Sequence, residues 1–368
     1  MSILIFIIGI VVLIVVHEFG HFIAAKLSRM RVDEFGLGYP PRVAIIGRIG
    51  ETILSLNWLP FGGFVKIYGE DGEQSAGAES RDARAFSKKT RAVQALVLVA
   101  GIAMNLLFAY VLITGALIAG TPQALSQNEI ANARNTQLAV ADVLPSSPAA
   151  NAGLLAGDSI LSAKDILGEW HATDPASFSA FVAASRGDAI TLDIKRNGNE
   201  QTIIATPATN IVPDDTTRYA LGVEVATVGV VPVSFFSAIT EGATLTWGAT
   251  TLTAEGLGHF FYGIFTLHAD LSQVAGPVGI ASAVGSEASQ GFGNLLSIMA
   301  IISINLALIN LIPIPALDGG RLLFVGIESI IRRPINAKIA NAVNSVGFAL
   351  LVLLMVVVTA HDIFKIVG

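Results

Sequence analysis

Five consecutive residues, His17-Glu18-Phe19-Gly20-His21, carry the spacing H-E-x-x-H. Positions i and i+4 of a helix share a face, so two imidazoles there can grip one divalent ion while the neighbouring glutamate reaches its bound water. The chemistry such a group performs is metal-assisted hydrolysis. Three fixed letters in five are a weak pattern, and a polar trio bonded within a helix bundle is the bland alternative. The setting weighs against that alternative. The trio interrupts an apolar run from Ile3 to Ala25, and an ionisable side chain at mid-membrane costs about 2.5 to 3.5 kcal/mol on insertion scales. A bound cation offsets that cost.

A zinc site with one open position usually takes three protein ligands. The chain has no cysteine and only six histidines, so the third ligand must be histidine or carboxylate. Asp318 is the leading candidate. It closes the run Asn310-Leu311-Ile312-Pro313-Ile314-Pro315-Ala316-Leu317-Asp318-Gly319-Gly320, in which two prolines end an apolar helix and two glycines free the backbone. Broken backbone at membrane depth is tolerated only where protein or a wet cavity satisfies it. An aspartate before Gly-Gly is also a common turn or helix cap, and that reading stays open at this point. His259 and His268 compete for the third place, but lie outside the apolar spans beside aromatic residues.

The elements that must position these residues are membrane helices. Of 368 residues, 53% are hydrophobic and 14% charged, against roughly 25% charged in a soluble protein. Four apolar runs are long enough to cross a bilayer: Ile3 to Ala25, Ala92 to Gly120, Leu295 to Ile314 and Ala342 to Ala360. The first has no preceding Lys or Arg and no small-x-small cleavage site, so it is expected to remain in the mature chain. Eleven Lys and Arg lie from Lys26 to Arg91, whereas the longer stretch from Thr121 to Phe235 has 6 against 12 Asp and Glu. The positive-inside rule then places the first and third loops in the cytoplasm and the middle insert and both termini outside.

That insert reads as a small β-rich soluble domain, with the alternating strand Ala189 to Ile194 leading to a turn at Arg196-Asn197-Gly198-Asn199. Its segment Ser147 to Ile160 resembles the signature of PDZ domains, a short helix and a Gly-Asp turn before a strand. Residues 232 to 290 read as amphipathic interfacial helices and a linker, with Phe235, Phe236, Trp247, Phe260 and Phe261 at a spacing that suits either a membrane surface or packing on the insert. Glu70 to Ser80 reads as a polar flexible loop. Asn105, inside the second span, reads as a polar side chain bonding a neighbouring helix. A net charge of -6 and the lack of a basic stripe exclude a nucleic-acid footprint.

Together, His17 to His21 in the first span and Asn310 to Gly320 in the third resemble the site-2 proteases, especially the bacterial regulator-of-sigma-E protease group. Asn57-Trp58-Leu59-Pro60-Phe61-Gly62-Gly63-Phe64-Val65-Lys66 is similar to the membrane re-entrant β-loop of those enzymes, and Gly276-Pro277-Val278-Gly279-Ile280 to another of their recurring segments. The resemblance implies a polytopic α-helical membrane protein of four transmembrane helices, with a membrane-associated β-loop and an inserted PDZ-like α+β domain. It divides the chain into a membrane part at 1–120, an extracytoplasmic PDZ-like domain at 121–231, interfacial helices at 232–290 and a second membrane part at 291–368. It implies Zn²⁺ held by His17, His21 and Asp318, and Glu18 as general base. The substrates would be transmembrane segments in the bacterial plasma membrane, such as those of anti-sigma factors or signal-peptide remnants, cut on the cytoplasmic side. Asn310, Gly62, Gly63 and Phe64 would bind the unwound substrate. The expected partners are those substrates and the lipid bilayer, with no nucleic acid and no small-molecule organic cofactor. The insert has room for one PDZ-like domain where relatives of the Gram-negative type often carry two. The competing class is a catalytically inactive membrane scaffold in which the insert binds partners.

Overall fold

The computed structural model describes residues 2–367 except 71–81, 167, 172, 197, 212–214, 232 and 267–275. His268 and, apart from Glu70, the expected polar loop lie outside the described residues. In chain order the first half runs α1 (Ser2–Leu27), β1 (Val32–Ile49), β2 (Thr52–Ile67), α2 (Arg91–Ala119), β3 (Gln123–Ala124), α3 (Gln127–Ile130), β4 (Arg134–Val143), α4 (Pro148–Ala152), β5 (Ser159–Lys164) and β6 (Glu169–Trp170). There follow α5 (Pro175–Ala184), β7 (Ile190–Arg196), β8 (Asn199–Ala205), β9 (Val223–Val230), α6 (Phe235–Phe265), α7 (Pro277–Gln290), α8 (Phe292–Leu311), α9 (Asp318–Ile331) and α10 (Ala337–Val367). The chain divides into two compact units, one of residues 1–114, 239–287 and 295–368, the other of 115–238 and 288–294.

In the first unit α1, α2, α8 and α10 are long and apolar enough to cross a membrane. Leu13, Val284, Met299 and Ile302 pack together, and Ala109, Ala300 and Ile304 form a second cluster. Small residues set the helix spacing, since lipid offers apolar side chains as good an environment as a neighbouring helix does and close backbone contact is what remains to be gained. A Cβ on Gly20 would stand 2.4 Å from the carbonyl oxygen of Ala100, so α1 and α2 cross at this glycine.

Within the stretch 232–290 the chain forms α6 and α7, and the residues of α6 from 239 onward belong to the first unit. They continue one 31-residue helix, about 46 Å long at 1.5 Å per residue. Ala249 packs against the Ala109, Ala300 and Ile304 cluster, and a Cβ on Gly242 would meet Thr114 Oγ1 at 2.3 Å. The threonines of α6 turn their hydroxyls back onto their own helix: Thr246 donates to Gly242 O at 2.6 Å, Thr250 to Thr246 O at 2.7 Å and Thr253 to Ala249 O at 2.7 Å. Bonded in this way, they present methyl groups to their neighbours.

The strands β1 and β2 are long enough to bend, so each contributes two legs to one sheet. Phe35 is paired both with Val65 and with Leu54, and Ile45 is paired with Ser55. Residues 63–67 therefore form an outer leg whose described partners, Val32 to Leu37, all lie on one side. Glu34 and Arg42 brace the hairpin through a two-pronged ion pair. Burial works to raise the Glu34 carboxyl, but the bonds from Arg42 and Ser55 and the guanidinium charge hold it below the usual carboxylate range.

The second unit has a seven-stranded sheet of order β3-β9-β4-β5-β7-β8, with β6 beside β5. Its core of Leu138, Ile160, Phe178, Ile190, Leu192 and Ile194 is almost wholly buried, as expected where alternate residues of half-buried strands face inward. β7 and β8 form a hairpin in which Arg196 faces Asn199. Between α4 and β5 the chain turns through Gly153 and Gly157, both at positive φ. The Asp158 carboxylate that follows is 1% exposed. It accepts bonds from Leu155 N at 2.9 Å, Arg196 Nε at 2.7 Å and Arg196 Nη2 at 2.6 Å, so the buried charge is paired.

Candidate metal centre

The site is built in the first unit where α1, α2 and the start of α9 meet. His17 and His21 lie one turn apart on α1 and are both buried. Asp318 reaches them from the far end of the sequence. Its Oδ2 lies 2.9 Å from His17 Nε2 and 3.2 Å from His21 Nε2, and the two imidazole nitrogens are 3.1 Å apart. A tetrahedral ion with bonds of 2.0–2.1 Å spaces its donors about 3.4 Å apart, so these three atoms fit around one ion with a slight opening of the triangle. Two neutral imidazoles, one carboxylate and no sulfur make a donor set suited to zinc. Among the described residues no other three such side chains come close enough to share an ion. His259 is exposed on α6 and is not part of the group.

Asp318 is not the cap of α9. It is the first residue of that helix, after an extended Leu317 whose side chain makes no capping bond, and its carboxylate is turned to the imidazoles. The helix N-terminus beneath it favours the negative charge. The loop that delivers it is held tightly: Ile314 N donates to Ile312 O at 2.7 Å, Leu317 N to Ile314 O at 3.2 Å and Ala316 N to Asn344 Oδ1 at 3.3 Å. Gly319 and Gly320 are needed for close approach, because Cβ atoms there would stand 2.2 Å and 2.3 Å from the carbonyl oxygens of Ile312 and Ile314.

One stripe of α2, residues 97, 101 and 105 at i, i+4 and i+8, faces the two histidines. His21 Nδ1 lies 2.8 Å from Val97 O. A carbonyl can only accept, so His21 carries its proton on Nδ1 and leaves the Nε2 lone pair free. Gly101 supplies the room, since a Cβ there would be 2.4 Å from His21 Nε2 and 2.9 Å from His17 Cε1. Asn105, fully buried, has its amide 3.3 Å from His17 Nδ1. Asn105 thus bonds a neighbouring helix, as expected from the sequence, and the partner on that helix is His17.

A cavity of about 490 Å³ opens from the site and is lined by Glu18, His21, Asp318, Tyr39, Asn344 and the outer leg Gly63 to Ile67. A Cβ on Gly63 would be 3.5 Å from Glu18 Cγ, so the strand passes directly beside the glutamate. Gly62, at φ +96°, sits against the Tyr39 ring and is not part of the lining. Asn310, half-buried in the last turn of α8, does not line the cavity either. Arg321 and Glu70 form an ion pair at its far side.

The family model of peptidase family M50 matches residues 5–354. The chain is similar to a Clostridium perfringens protein provisionally named a zinc metalloprotease, 36% identical over 351 residues that span 95% of each chain. It is also similar to the zinc metalloproteases RasP of Oceanobacillus iheyensis, at 28% identity over 96% of each chain, and of Geobacillus kaustophilus, at 29% over 99% of this chain and 98% of the other. The match runs through the helices that carry His17, His21, Asn105 and Asp318 alike, and on it the chain belongs to peptidase family M50.

Proposed function

We propose that the chain is a multi-pass membrane zinc endopeptidase of the site-2 protease type, which cuts peptide bonds in transmembrane segments of other proteins. The observation that carries this reading is the convergence of His17, His21 and Asp318, from residues 301 apart in the chain, beside a glutamate and an open strand edge. His17, His21 and Asp318 would hold zinc, which when bound would polarise a carbonyl and acidify a water at the site. Glu18, beside the site, would take a proton from the attacking water and pass it to the leaving amine nitrogen. His21 is held to the metal-binding tautomer by Val97 O, and Asp318 sets the third donor.

A transmembrane helix hides its amides in i to i−4 bonds, so it must open before it can be cut. The outer leg 63–67 offers an unwound segment a strand to pair with, with Gly63 beside Glu18 and Phe64 in the cavity lining. Because Asn310 stands off the cavity, backbone clamping falls to this strand edge. By the positive-inside rule the four long helices put this end of the site toward the cytoplasm and the second unit, read as PDZ-like, outside the plasma membrane. Anti-sigma factors and signal-peptide remnants are substrates of the right kind.

Purified protein in detergent is expected to hold about one zinc per chain and to cleave a model transmembrane peptide. Glu18→Gln keeps the metal and loses roughly 10²–10⁴-fold in cleavage rate, the usual contribution of a general base. Undiminished cleavage by that variant overturns the role given to Glu18, and a metal-free, inert wild type favours the scaffold reading.

A further inference from the structure

We infer that Asn105 is a positioning residue of the metal centre: its amide oxygen accepts the Nδ1 proton of His17 and so fixes the tautomer in which His17 Nε2 can bind an ion. This rests on the reading of His17 as a ligand. His17 presents Nε2 to Asp318 and His21, so a metal-binding His17 must carry its proton on Nδ1. That proton needs an acceptor, and the Asn105 amide lies 3.3 Å away with its nitrogen Nδ2 as the near atom. A half-turn about its terminal torsion exchanges the amide's oxygen and nitrogen, and only the oxygen can serve.

Three further observations agree. Asn105 is wholly buried, and one end of its amide has no hydrogen-bond partner among the described residues. That unpaired atom is Oδ1; an unpaired buried polar atom costs about 1–3 kcal/mol, and the half-turn that brings this oxygen to His17 Nδ1–H gives it a partner. Ser303 Oγ donates to the Asn105 backbone oxygen at 2.8 Å, which braces this turn of α2 from α8. Finally, Val97 and Asn105 stand at either end of the same stripe of α2, one accepting from His21 Nδ1 and the other with its amide 3.3 Å from His17 Nδ1. Each imidazole thus has its own outer partner, as metal-bound histidines generally do.

The test is zinc affinity of the full chain in detergent, measured by competition with a chelator, for wild type, Asn105→Leu, Asn105→Asp and the control Asn305→Leu. Asn305 bonds only its own helix at Ile301 O among the described residues. Asn105→Leu is expected to weaken zinc binding 10- to 100-fold, while Asn105→Asp, which can only accept, stays within about threefold of wild type, as does the control. The two variants separate a positioning role from a packing role: for packing alone, a carboxylate buried at membrane depth is the worse substitution. Asn105→Leu binding as tightly as wild type overturns the inference, and so does Asn105→Asp losing zinc. Should Asn105→Leu fail to fold, Asn105→Asp decides alone. A wild type that holds no zinc overturns the reading of His17 as a ligand as well, whereas normal zinc in both wild type and Asn105→Leu overturns only the role of Asn105.

Discussion

At the scale of single residues, the metal centre depends as much on what is missing as on what is present. Gly101 has no side chain because the two imidazoles occupy its place. Gly101→Val is therefore expected to displace both rings and remove zinc from a chain that still inserts and folds, measured as zinc per chain after gel filtration. Asp318→Asn exchanges a carboxylate for an amide at 2.9 Å from His17 Nε2 and is expected to weaken zinc retention without expelling the helix. The spacing of the three candidate ligands is legible in the sequence because H-E-x-x-H encodes a helical face and Asp318 sits in a run that prolines and glycines mark out. Gly101 and Asn105 are not. The α2 sequence is apolar on every side, so no periodicity says which stripe turns toward α1, and a buried glycine or asparagine in such a helix looks alike whatever it touches.

At the scale of elements, the outer leg 63–67 and α6 show where local sequence signals succeed and fail. Asn57 to Lys66 was recognisable as a loop beside the site. That β1 and β2 each bend to supply two legs was not, since the bend depends on register shifts between strands rather than on any turn residue. Gly63→Val places a side chain 3.0 Å from Gly36 O and close to Glu18. If substrate enters as an added strand, this variant raises KM for a transmembrane peptide severalfold with zinc content unchanged, a split that steady-state kinetics reads directly. α6 falls in the stretch expected to form amphipathic interfacial helices, and it carries Thr246, Thr250 and Thr253. Their hydroxyls are bonded to their own carbonyls, which leaves a helix less polar than its composition and explains why Ala249 can pack among Ala109, Ala300 and Ile304.

At the scale of the whole molecule, the chain has two compact units with separate cores, and their stabilities rest on different terms. The first relies on close helix packing, the second on a sheet core and on the buried pair of Asp158 with Arg196. Removing one partner of a buried pair strands the other charge and costs about 3–5 kcal/mol. Arg196→Ala in the full chain is therefore expected to speed proteolysis within residues 136–230 while zinc per chain stays at the wild-type value. Loss of zinc in parallel would show that the two units do not hold their structures separately. The number of long apolar helices and the position of the β-rich insert were readable from composition alone, because lipid and water demand different residues over whole segments.

Two ends of one polypeptide share a single ion in this account, and X-ray absorption at the zinc edge of the purified full chain tests that most directly. The predicted spectrum has two imidazoles and carboxylate or water oxygens at about 2.0–2.2 Å, and Asp318→Asn alters the oxygen shell while both imidazoles remain. A third imidazole in the wild type, or a spectrum that Asp318→Asn leaves unchanged, would contradict it.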